Sequence, residues 1–351
     1  MLCPSKQNVK ALGRIREKDG VLYLGNAGSY IEFEITASYL TARLDTRYGR
    51  EGSRYPTWLT VSLDGTERVI CLKEGVEDYP LFGGESSRRV TVGLLKRSES
   101  GYGNVGILGF LTDAKEITPT EKKKRRIEFV GDSITCGFGC EQKDGEAFST
   151  SGENCAAAYA IRTAQLLDAD WHLVAQSGIG VYSSCVTEET QQPNTQLLMP
   201  ELYRYTDLSC DQLRGWEPQL WEGKQWQPQV VVINLGTNDA LFARDHQERQ
   251  GCFGRAYESF LRQVARANPQ ARLVCILGVM DQRLCRQVRE RVEKLEKEGL
   301  PVSFLQQKPQ QQSDGIGAAG HPNVVTQEKS ARELVAFLEN QTGWAEVSKY
   351  S

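Results

Sequence analysis

The sequence has no long hydrophobic run and no strong excess of either charge, and both absences limit what the protein can be. No apolar stretch approaches the roughly 18 residues that a membrane-spanning helix needs. The net charge of the 351-residue chain is −3, which gives no general attraction to nucleic acid or to an anionic membrane surface. We therefore expect neither nucleic acid nor a membrane as a partner.

Closely spaced cysteine pairs are also missing. The ten cysteines are scattered without a Cys-x-x-Cys pair, and there are only three histidines, so no Cys or His cluster has the spacing of a metal site. We interpret Cys136 and Cys140 as packing residues rather than as redox or zinc ligands. Disulfide frameworks belong mainly to small secreted domains, and residues 1–16 contain no apolar segment or cleavage pattern of a signal peptide. We therefore expect a cytoplasmic protein.

The pattern of apolar residues divides the chain into two parts. Up to about residue 113, short alternating runs such as 30–35 and 57–63 are separated by Gly, Asp and Pro, which favours a β-sandwich or jelly roll. After residue 126, apolar strands alternate with amphipathic helices, which predicts a parallel sheet covered on both faces. We predict an accessory β domain over 1–120 and an α/β domain over 127–351. The basic stretch between them is interpreted as a solvated crossing rather than as a localisation signal.

The second domain has a clear order of predicted elements. Its predicted strands are 127–130, 172–175, 230–235, 273–277 and 302–305, and its predicted helices are 155–167, 281–298 and 325–339.

A serine lies where the first of these strands ends, in the sequence Gly-Asp-Ser with Ser133 last. Three further segments follow predicted strands or precede the last helix: 176–180 (QSGIG), 236–239 (GTND) and 320–323 (GHPN). Reactive groups collect at the carboxyl ends of the strands in such sheets. Ser133 is therefore a candidate nucleophile, and a nucleophilic serine needs a base and oxyanion donors nearby.

The base is chosen among three histidines. His172 begins an apolar strand and His246 lies in a charged segment, whereas His321 lies in a Gly/Pro turn at the same edge of the sheet as Ser133. The coincidence of four loops at one edge favours His321 as the base.

The four segments resemble, in order, the sequence blocks of the SGNH (GDSL-type) hydrolase superfamily. Together with the N-terminal β domain, they make the chain similar to carbohydrate esterase family 2, of the acetyl xylan or mannan esterase type, whose members remove acetyl groups from plant polysaccharides or their fragments. The resemblance covers about 127–345 and, more loosely, the β domain. It implies a three-layer α/β/α parallel sheet preceded by a jelly-roll or sandwich domain, and no metal or organic cofactor.

The resemblance also assigns roles to individual residues. It makes Ser133 the nucleophile, His321 the base, and the N–H groups of Ser133 and Gly180 with the side-chain amide of Asn238 the oxyanion hole. Gly178 is the competing glycine, because the block reads Ser-Gly-Ile-Gly without the usual asparagine.

The chain departs from the superfamily at the acid of the triad. Alanines, Ala318 and Ala319, stand three and two residues before His321, where relatives carry an aspartate. Either Asp314, seven residues upstream, folds back to orient the histidine, or a main-chain carbonyl does so and the enzyme uses a Ser–His dyad. We favour the carbonyl, and we interpret Asp132 as a structural cap.

Aromatic residues are candidates for contacting a sugar ring, although each is equally suited to packing. These candidates are Tyr182, Trp216 and Trp226, with Trp221 a weaker one.

The expected function is removal of O-acetyl groups from xylan- or mannan-derived oligosaccharides. The alternatives are another SGNH esterase, such as a lipase or thioesterase, and a non-catalytic carbohydrate-binding protein. The preferred sugar and the oligomeric state stay open.

Overall fold

The computed structural model describes residues 1–346. The strands, in chain order, are β1 (Lys10–Leu12), β2 (Arg16–Lys18), β3 (Val21–Leu24), β4 (Tyr30–Tyr48), β5 (Trp58–Leu63), β6 (Thr66–Cys71), β7 (Gly75–Lys96), β8 (Gly103–Thr112), β9 (Thr118–Pro119), β10 (Arg125–Gly131), β11 (Ala169–Ala175), β12 (Val230–Asn234), β13 (Arg272–Leu277) and β14 (Val302–Gln306). The helices are α1 (Ser133–Cys136), α2 (Tyr159–Leu166), α3 (Met199–Leu202), α4 (Leu208–Arg214), α5 (Thr237–Ala243), α6 (Gln247–Ala267), α7 (Cys285–Lys297) and α8 (Val324–Thr342).

The chain folds into two compact units. The first comprises 1–122 together with 149–153 and 206–219, and the second comprises 123–148, 154–205 and the chain from 220 onward. The chain passes from the first unit to the second after residue 122. The sequence predicts that the β domain ends at residue 120 and that the α/β domain begins at residue 127. Two later segments join the first unit, which no local pattern in the sequence indicates.

The first unit is built from antiparallel strands. They are ordered β2-β3-β8-β4-β7-β5-β6, with β1 and β9 also paired to β4. The long strand β4 pairs with β1 and β9 through its first residues and with β8 from Leu40 onward, after β-bulges between Ala37 and Thr41 in its pairing with β7. A bulge bends the strand that contains it. Because its partner changes along its length, β4 contributes to both layers of the sandwich around one apolar core. Phe33 and Phe110 meet in that core with ring centroids 4.8 Å apart.

The second unit is a parallel sheet with helices. Its strand order is β11-β10-β12-β13-β14, and every neighbouring pair is parallel. Gly131 at the end of β10 is in register with Ala175 at the end of β11 and with Asn234 at the end of β12. The loops that follow these three strands therefore leave the sheet at the same edge.

The fold class expected from the sequence is confirmed: an antiparallel β-sandwich unit precedes a parallel α/β unit. Each of the five strands predicted for the second unit overlaps one of β10–β14, and the three predicted helices correspond to α2, α7 and α8. The 21-residue helix α6 was not predicted. Along the part of the chain that the structure describes, no helix combines the length and apolar character that a membrane crossing requires.

Candidate active site

Ser133 is the first residue of α1, directly after the end of β10. The Asp132 side chain caps this helix, since its Oδ1 accepts the N–H of Ile134 at 3.0 Å. A Cβ at Gly131 would overlap the Thr135 side chain, so the strand can only turn this tightly with glycine there. The first N–H groups of a helix have no partner within the helix, and the N–H of Ser133 is the first of α1.

The Ser133 hydroxyl meets His321 across the loops of the sheet edge. Ser133 Oγ lies 2.9 Å from His321 Nε2, although the two residues are 188 positions apart in the chain. Ser133 is 6% exposed and His321 is half-buried. Burial lowers the pKa of the His321 imidazole below its ordinary value of 6.5. The ring is therefore neutral near pH 7, as a general base must be.

Main-chain carbonyls orient the other nitrogen of the imidazole. His321 Nδ1 lies 3.2 Å from the carbonyl oxygens of Ala318 and of Ala319. A carbonyl can only accept a hydrogen bond, so Nδ1 has the proton and Nε2 has the lone pair that faces Ser133. Ala319 adopts a left-handed conformation, with φ 52° and ψ 36°, which is uncommon for a residue other than glycine. This strained turn directs its carbonyl back to the ring.

Asp314, the nearest acid upstream, has other partners. Its Oδ1 accepts a hydrogen bond from Lys329 Nζ at 2.6 Å, and its main-chain carbonyl accepts one from Asn323 Nδ2 at 2.6 Å. Both partners belong to the start of α8. The described contacts of the His321 ring nitrogens include the two carbonyls and Ser133 but not this carboxylate.

The candidate oxyanion donors lie on the loops after β11 and β12. The Gly180 N–H donates to Ser184 Oγ at 3.2 Å, and Asn238 Nδ2 donates to the Ile179 carbonyl at 2.9 Å and lies 3.4 Å from Asp132 Oδ2. Gly178, the competing glycine, has φ 80° and its carbonyl accepts the Cys185 N–H at 2.7 Å. Asn238 is 7% exposed, so its amide lies at the edge of the buried region.

Two buried carboxyl groups lie beneath these donors. Asp132 and Asp239 are each at most 1% exposed. Burial raises the pKa of Asp132 to about 7 and that of Asp239 to about 6, and the charge of Asp239 adds to the effect on Asp132. Shifts of this size are typical of functional clefts, although buried structural groups show them too.

Two family profiles and several known esterases are similar to this chain. The profile of the GDSL-like Lipase/Acylhydrolase family matches residues 129–325, and that of the Carbohydrate esterase 2 N-terminal domain matches residues 11–120. An "Acetylxylan esterase / glucomannan deacetylase" of Cellvibrio japonicus is 31% identical over 297 residues, which are 80% of this chain and 77% of the relative. The chain belongs to carbohydrate esterase family 2. It is a member of the GDSL-type group of carboxylic ester hydrolases.

Two further proteins are similar to this chain. "Cellulase/esterase CelE" of Acetivibrio thermocellus is 36% identical over 259 residues, which are 72% of this chain but 30% of the relative. A family two carbohydrate esterase from Clostridium thermocellum, solved in complex with cellohexaose, is 29% identical, with a TM-score of 0.83 over 96% of this chain and 100% of that chain. This chain thus spans less than a third of the length of CelE.

The predicted sugar-contacting residues of this esterase lie in different places. Tyr182 is on the glycine loop, and its ring lies 6.0 Å from that of Phe242. Trp226 stacks on the His172 ring at 3.7 Å. His172 lies three residues before the end of β11, so this contact is away from the carboxyl edge of the sheet. Trp216 belongs to the first unit, where its ring meets Tyr23 edge-on at 4.8 Å. Of these three residues, Tyr182 is the one that lies on the same loop as a candidate oxyanion donor, Gly180.

The sequence prediction missed two aromatic residues near the base. The Phe138 ring centroid lies 4.6 Å from that of His321, and Phe148 stacks on Phe138 at 3.6 Å with an interplanar angle of 6°. Phe138 follows Ser133 by five residues, but no spacing rule connects it with a histidine so far along the chain. Within residues 1–346, the esterase has no group of three or more His, Cys, Asp or Glu side chains that could hold a metal ion.

Proposed function

We propose that this protein is a carbohydrate acetyl esterase that removes O-acetyl groups from hemicellulose-derived oligosaccharides, with Ser133 as nucleophile and His321 as base. The observation that carries the proposal is the 2.9 Å contact between Ser133 Oγ and His321 Nε2. Two carbonyls at Nδ1 fix the tautomer in which Nε2 can accept a proton. This is the arrangement that an activated serine requires.

The first half-reaction forms an acetyl-enzyme. His321 Nε2 takes the hydroxyl proton as Ser133 Oγ attacks the acetyl carbonyl carbon, and the carbonyl oxygen becomes an oxyanion. When this tetrahedral intermediate collapses, the bond to the sugar oxygen breaks and Nε2 gives its proton to that oxygen. The sugar leaves with a free hydroxyl, and the acetyl group stays on Ser133.

The second half-reaction reverses the roles. A water molecule gives a proton to His321 Nε2 and attacks the acetyl carbon. The new tetrahedral intermediate collapses with release of acetic acid, which ionises to acetate in water, and Nε2 returns the proton to Ser133 Oγ. Atoms and protons balance over the cycle with water as the only co-reactant.

The oxyanion is stabilised by the N–H groups of Ser133 and Gly180 and by the Asn238 amide, with Gly178 as the alternative glycine. In the free protein, Gly180 N–H and Asn238 Nδ2 also make contacts of 3.2–3.4 Å, with Ser184 Oγ and Asp132 Oδ2. The Asn238 contact with Asp132 Oδ2 is long for a hydrogen bond, and an oxyanion is a charged acceptor that makes a stronger bond with either donor.

Main-chain carbonyls take the place of an acid in this scheme. A carbonyl oxygen fixes the orientation of the imidazole ring but has no negative charge with which to stabilise the imidazolium ion. We therefore propose a Ser–His dyad, with Asp314 outside the proton-transfer chain.

The substrate class rests on the relatives. An acetylxylan esterase / glucomannan deacetylase is among them, and the structure from C. thermocellum was solved with cellohexaose. Xylan and mannan fragments with acetyl groups are thus the substrates to test first.

The deciding experiment compares wild type with Ser133→Ala on 4-nitrophenyl acetate and on acetylated xylo- and manno-oligosaccharides. Ser38→Ala is the matched control, because Ser38 is a half-buried serine of the first unit bonded to Asp113. Wild type and Ser38→Ala should release acetate equally, and Ser133→Ala should release almost none. Equal release by wild type and Ser133→Ala would refute the esterase proposal. Faster hydrolysis of butyrate and octanoate esters than of acetate would instead indicate a lipase-type enzyme.

We also propose a cytoplasmic location. All ten cysteines lie within the described residues and none of them forms a disulfide bond there, as is usual in a reducing compartment. Cell fractionation with an antibody against the full chain tests this. Recovery outside the cytoplasm would contradict it.

A further inference from the structure

The carboxylate of Asp239 lies inside the loop that contains the candidate oxyanion glycine. Its Oδ1 accepts the N–H groups of Tyr182 at 2.7 Å, Ser183 at 2.9 Å and Val181 at 3.1 Å, and its Oδ2 accepts the Val181 N–H at 3.0 Å. Three successive N–H groups thus converge on one buried carboxylate. Such a concave array of N–H groups is an anion-binding nest, and here the anion is a side chain of the protein itself.

The closure of this loop determines where Gly180 lies. A Cβ at Gly180 would overlap the Ser183 carbonyl oxygen and would lie 2.9 Å from Asp239 Oδ2, so the loop has no room for another residue there. The Gly180 carbonyl accepts the Met199 N–H at 2.9 Å. The peptide group between Gly180 and Val181 is therefore held at its carbonyl oxygen by Met199 and at its N–H by Asp239.

The neighbouring residue holds the same loop from its other end. Asn238 Nδ2 donates to the carbonyl of Ile179 at 2.9 Å, and that carbonyl belongs to the same peptide group as the Gly180 N–H. Because a peptide group is planar, fixing its carbonyl oxygen fixes the direction of its N–H. Asn238 and Asp239 are adjacent residues of α5, so one turn of helix positions both the side-chain donor and the main-chain donor.

We propose that Asp239 is a positioning residue that aims the Gly180 N–H at the oxyanion. The inference rests on the proposed function, because it assumes that Ser133 forms a tetrahedral adduct. Asp239 itself touches neither substrate nor the reacting atoms. An asparagine in its place could offer one oxygen to the nest, but its NH₂ group would face the Val181 N–H, and two donors cannot bond to each other.

The test compares Asp239→Asn with wild type on 4-nitrophenyl acetate. We expect kcat to fall by about 10- to 100-fold with KM changed less than threefold, since a misdirected donor weakens binding of the transition state more than that of the substrate. The inhibition constant of phenylboronic acid, which forms a tetrahedral adduct with a catalytic serine, should rise by a similar factor. Amide hydrogen exchange of 178–185, which needs no activity, should become faster.

Asp207→Asn is the matched control. Asp207, like Asp239, is a buried carboxyl group. It caps α4 by accepting the Cys210 N–H at 2.9 Å, and it also accepts the Ser100 hydroxyl at 2.8 Å. Its loss should lower Tm and leave kcat and the boronic acid constant within twofold. If Asp239→Asn behaves in the same way, the inference is wrong.

Two further variants separate the possible failures. If Asp239→Asn does not fold, Asp239→Glu keeps the charge and displaces the oxygens by one methylene; it should lower kcat at nearly constant KM, and a wild-type kcat would overturn the inference. Ser133→Ala in the same assay reports on the proposed function instead. Equal rates for Ser133→Ala and wild type refute the esterase, whereas an active, Ser133-dependent enzyme with unchanged kcat in Asp239→Asn refutes only the role of Asp239.

Discussion

Asp314 directs its carboxylate to Lys329, with Oδ1 2.6 Å from Nζ. The ion pair joins the loop before His321 to the first turns of α8, and Asn323, which caps α8 with its Oδ1, bonds the Asp314 carbonyl with its Nδ2. The acid upstream of the candidate base His321 is thus bonded to the start of a helix. In the proposed dyad, two main-chain carbonyls take the role of the triad acid.

Asp314→Asn is therefore expected to keep kcat within about threefold of wild type on 4-nitrophenyl acetate. The Lys329 side chain is 62% exposed, so loss of the ion pair should lower the free energy of unfolding by less than about 1 kcal/mol. Lys329→Met is the matched control, because it removes the same pair and leaves the carboxylate. A loss of about 10⁴-fold in kcat for Asp314→Asn alone, as when the acid of a triad is altered, would contradict the dyad.

Asn238→Ala removes a proposed oxyanion donor and also the bond to the Ile179 carbonyl. We expect kcat to fall about 100- to 1,000-fold, with KM nearly constant because the donor acts on the transition state. Asn340→Ala serves as the control, since Asn340 is exposed on α8 and bonds only the preceding turn among its described contacts. Steady-state kinetics on an acetate ester gives kcat and KM for both variants. A rise in KM with unchanged kcat in Asn238→Ala would assign Asn238 to substrate binding.

The fold was largely predictable because its signals are periodic. Strand β12 is a continuous apolar run, and α7 places Val288, Val292 and Leu295 on its buried face. The prediction failed where periodicity is interrupted. It identified only 30–35 of the 19-residue strand β4, because the bulge after Ala37 shifts the alternation by one residue. It missed α6, whose many charges and two glycines obscure its buried face.

The candidate site could be predicted only in part. Ser133 and Asn238 belong to motifs that follow predicted strands, His321 belongs to a motif before the last helix, and the structure brings Ser133 and His321 into contact. Asp239 and Phe138 contact residues that are distant in the chain, and no spacing in the sequence indicates such contacts. Likewise, the return of 206–219 to the first unit places Trp216 there, which a linear division of the chain cannot foresee.

The pH dependence of the reaction should follow His321. Activity needs its neutral form, so kcat/KM should fall as the pH falls through the imidazole pKa, and because burial lowers that pKa the midpoint should lie below 6.5. NMR titration measures the imidazole pKa, with the signal assigned by comparison with His321→Asn. Agreement with the midpoint of kcat/KM would show that His321 sets that midpoint rather than Asp239, whose pKa of about 6 lies nearby. A His321 pKa above 6.5 would contradict the desolvation argument.

Phe138 should affect catalysis through the imidazole that it contacts. Phe138→Leu keeps an apolar side chain but removes the aromatic ring whose centroid lies 4.6 Å from that of His321. The imidazole should then be held less firmly. Because small displacements of a catalytic group are costly, we expect kcat to fall about 10-fold. The fall should be equal for 4-nitrophenyl acetate and for acetylated oligosaccharides. Phe148→Leu, which alters the outer ring of the same stack, should cost less than threefold in kcat. A larger loss on oligosaccharides than on the small ester would indicate instead that the aromatic pair contacts the sugar.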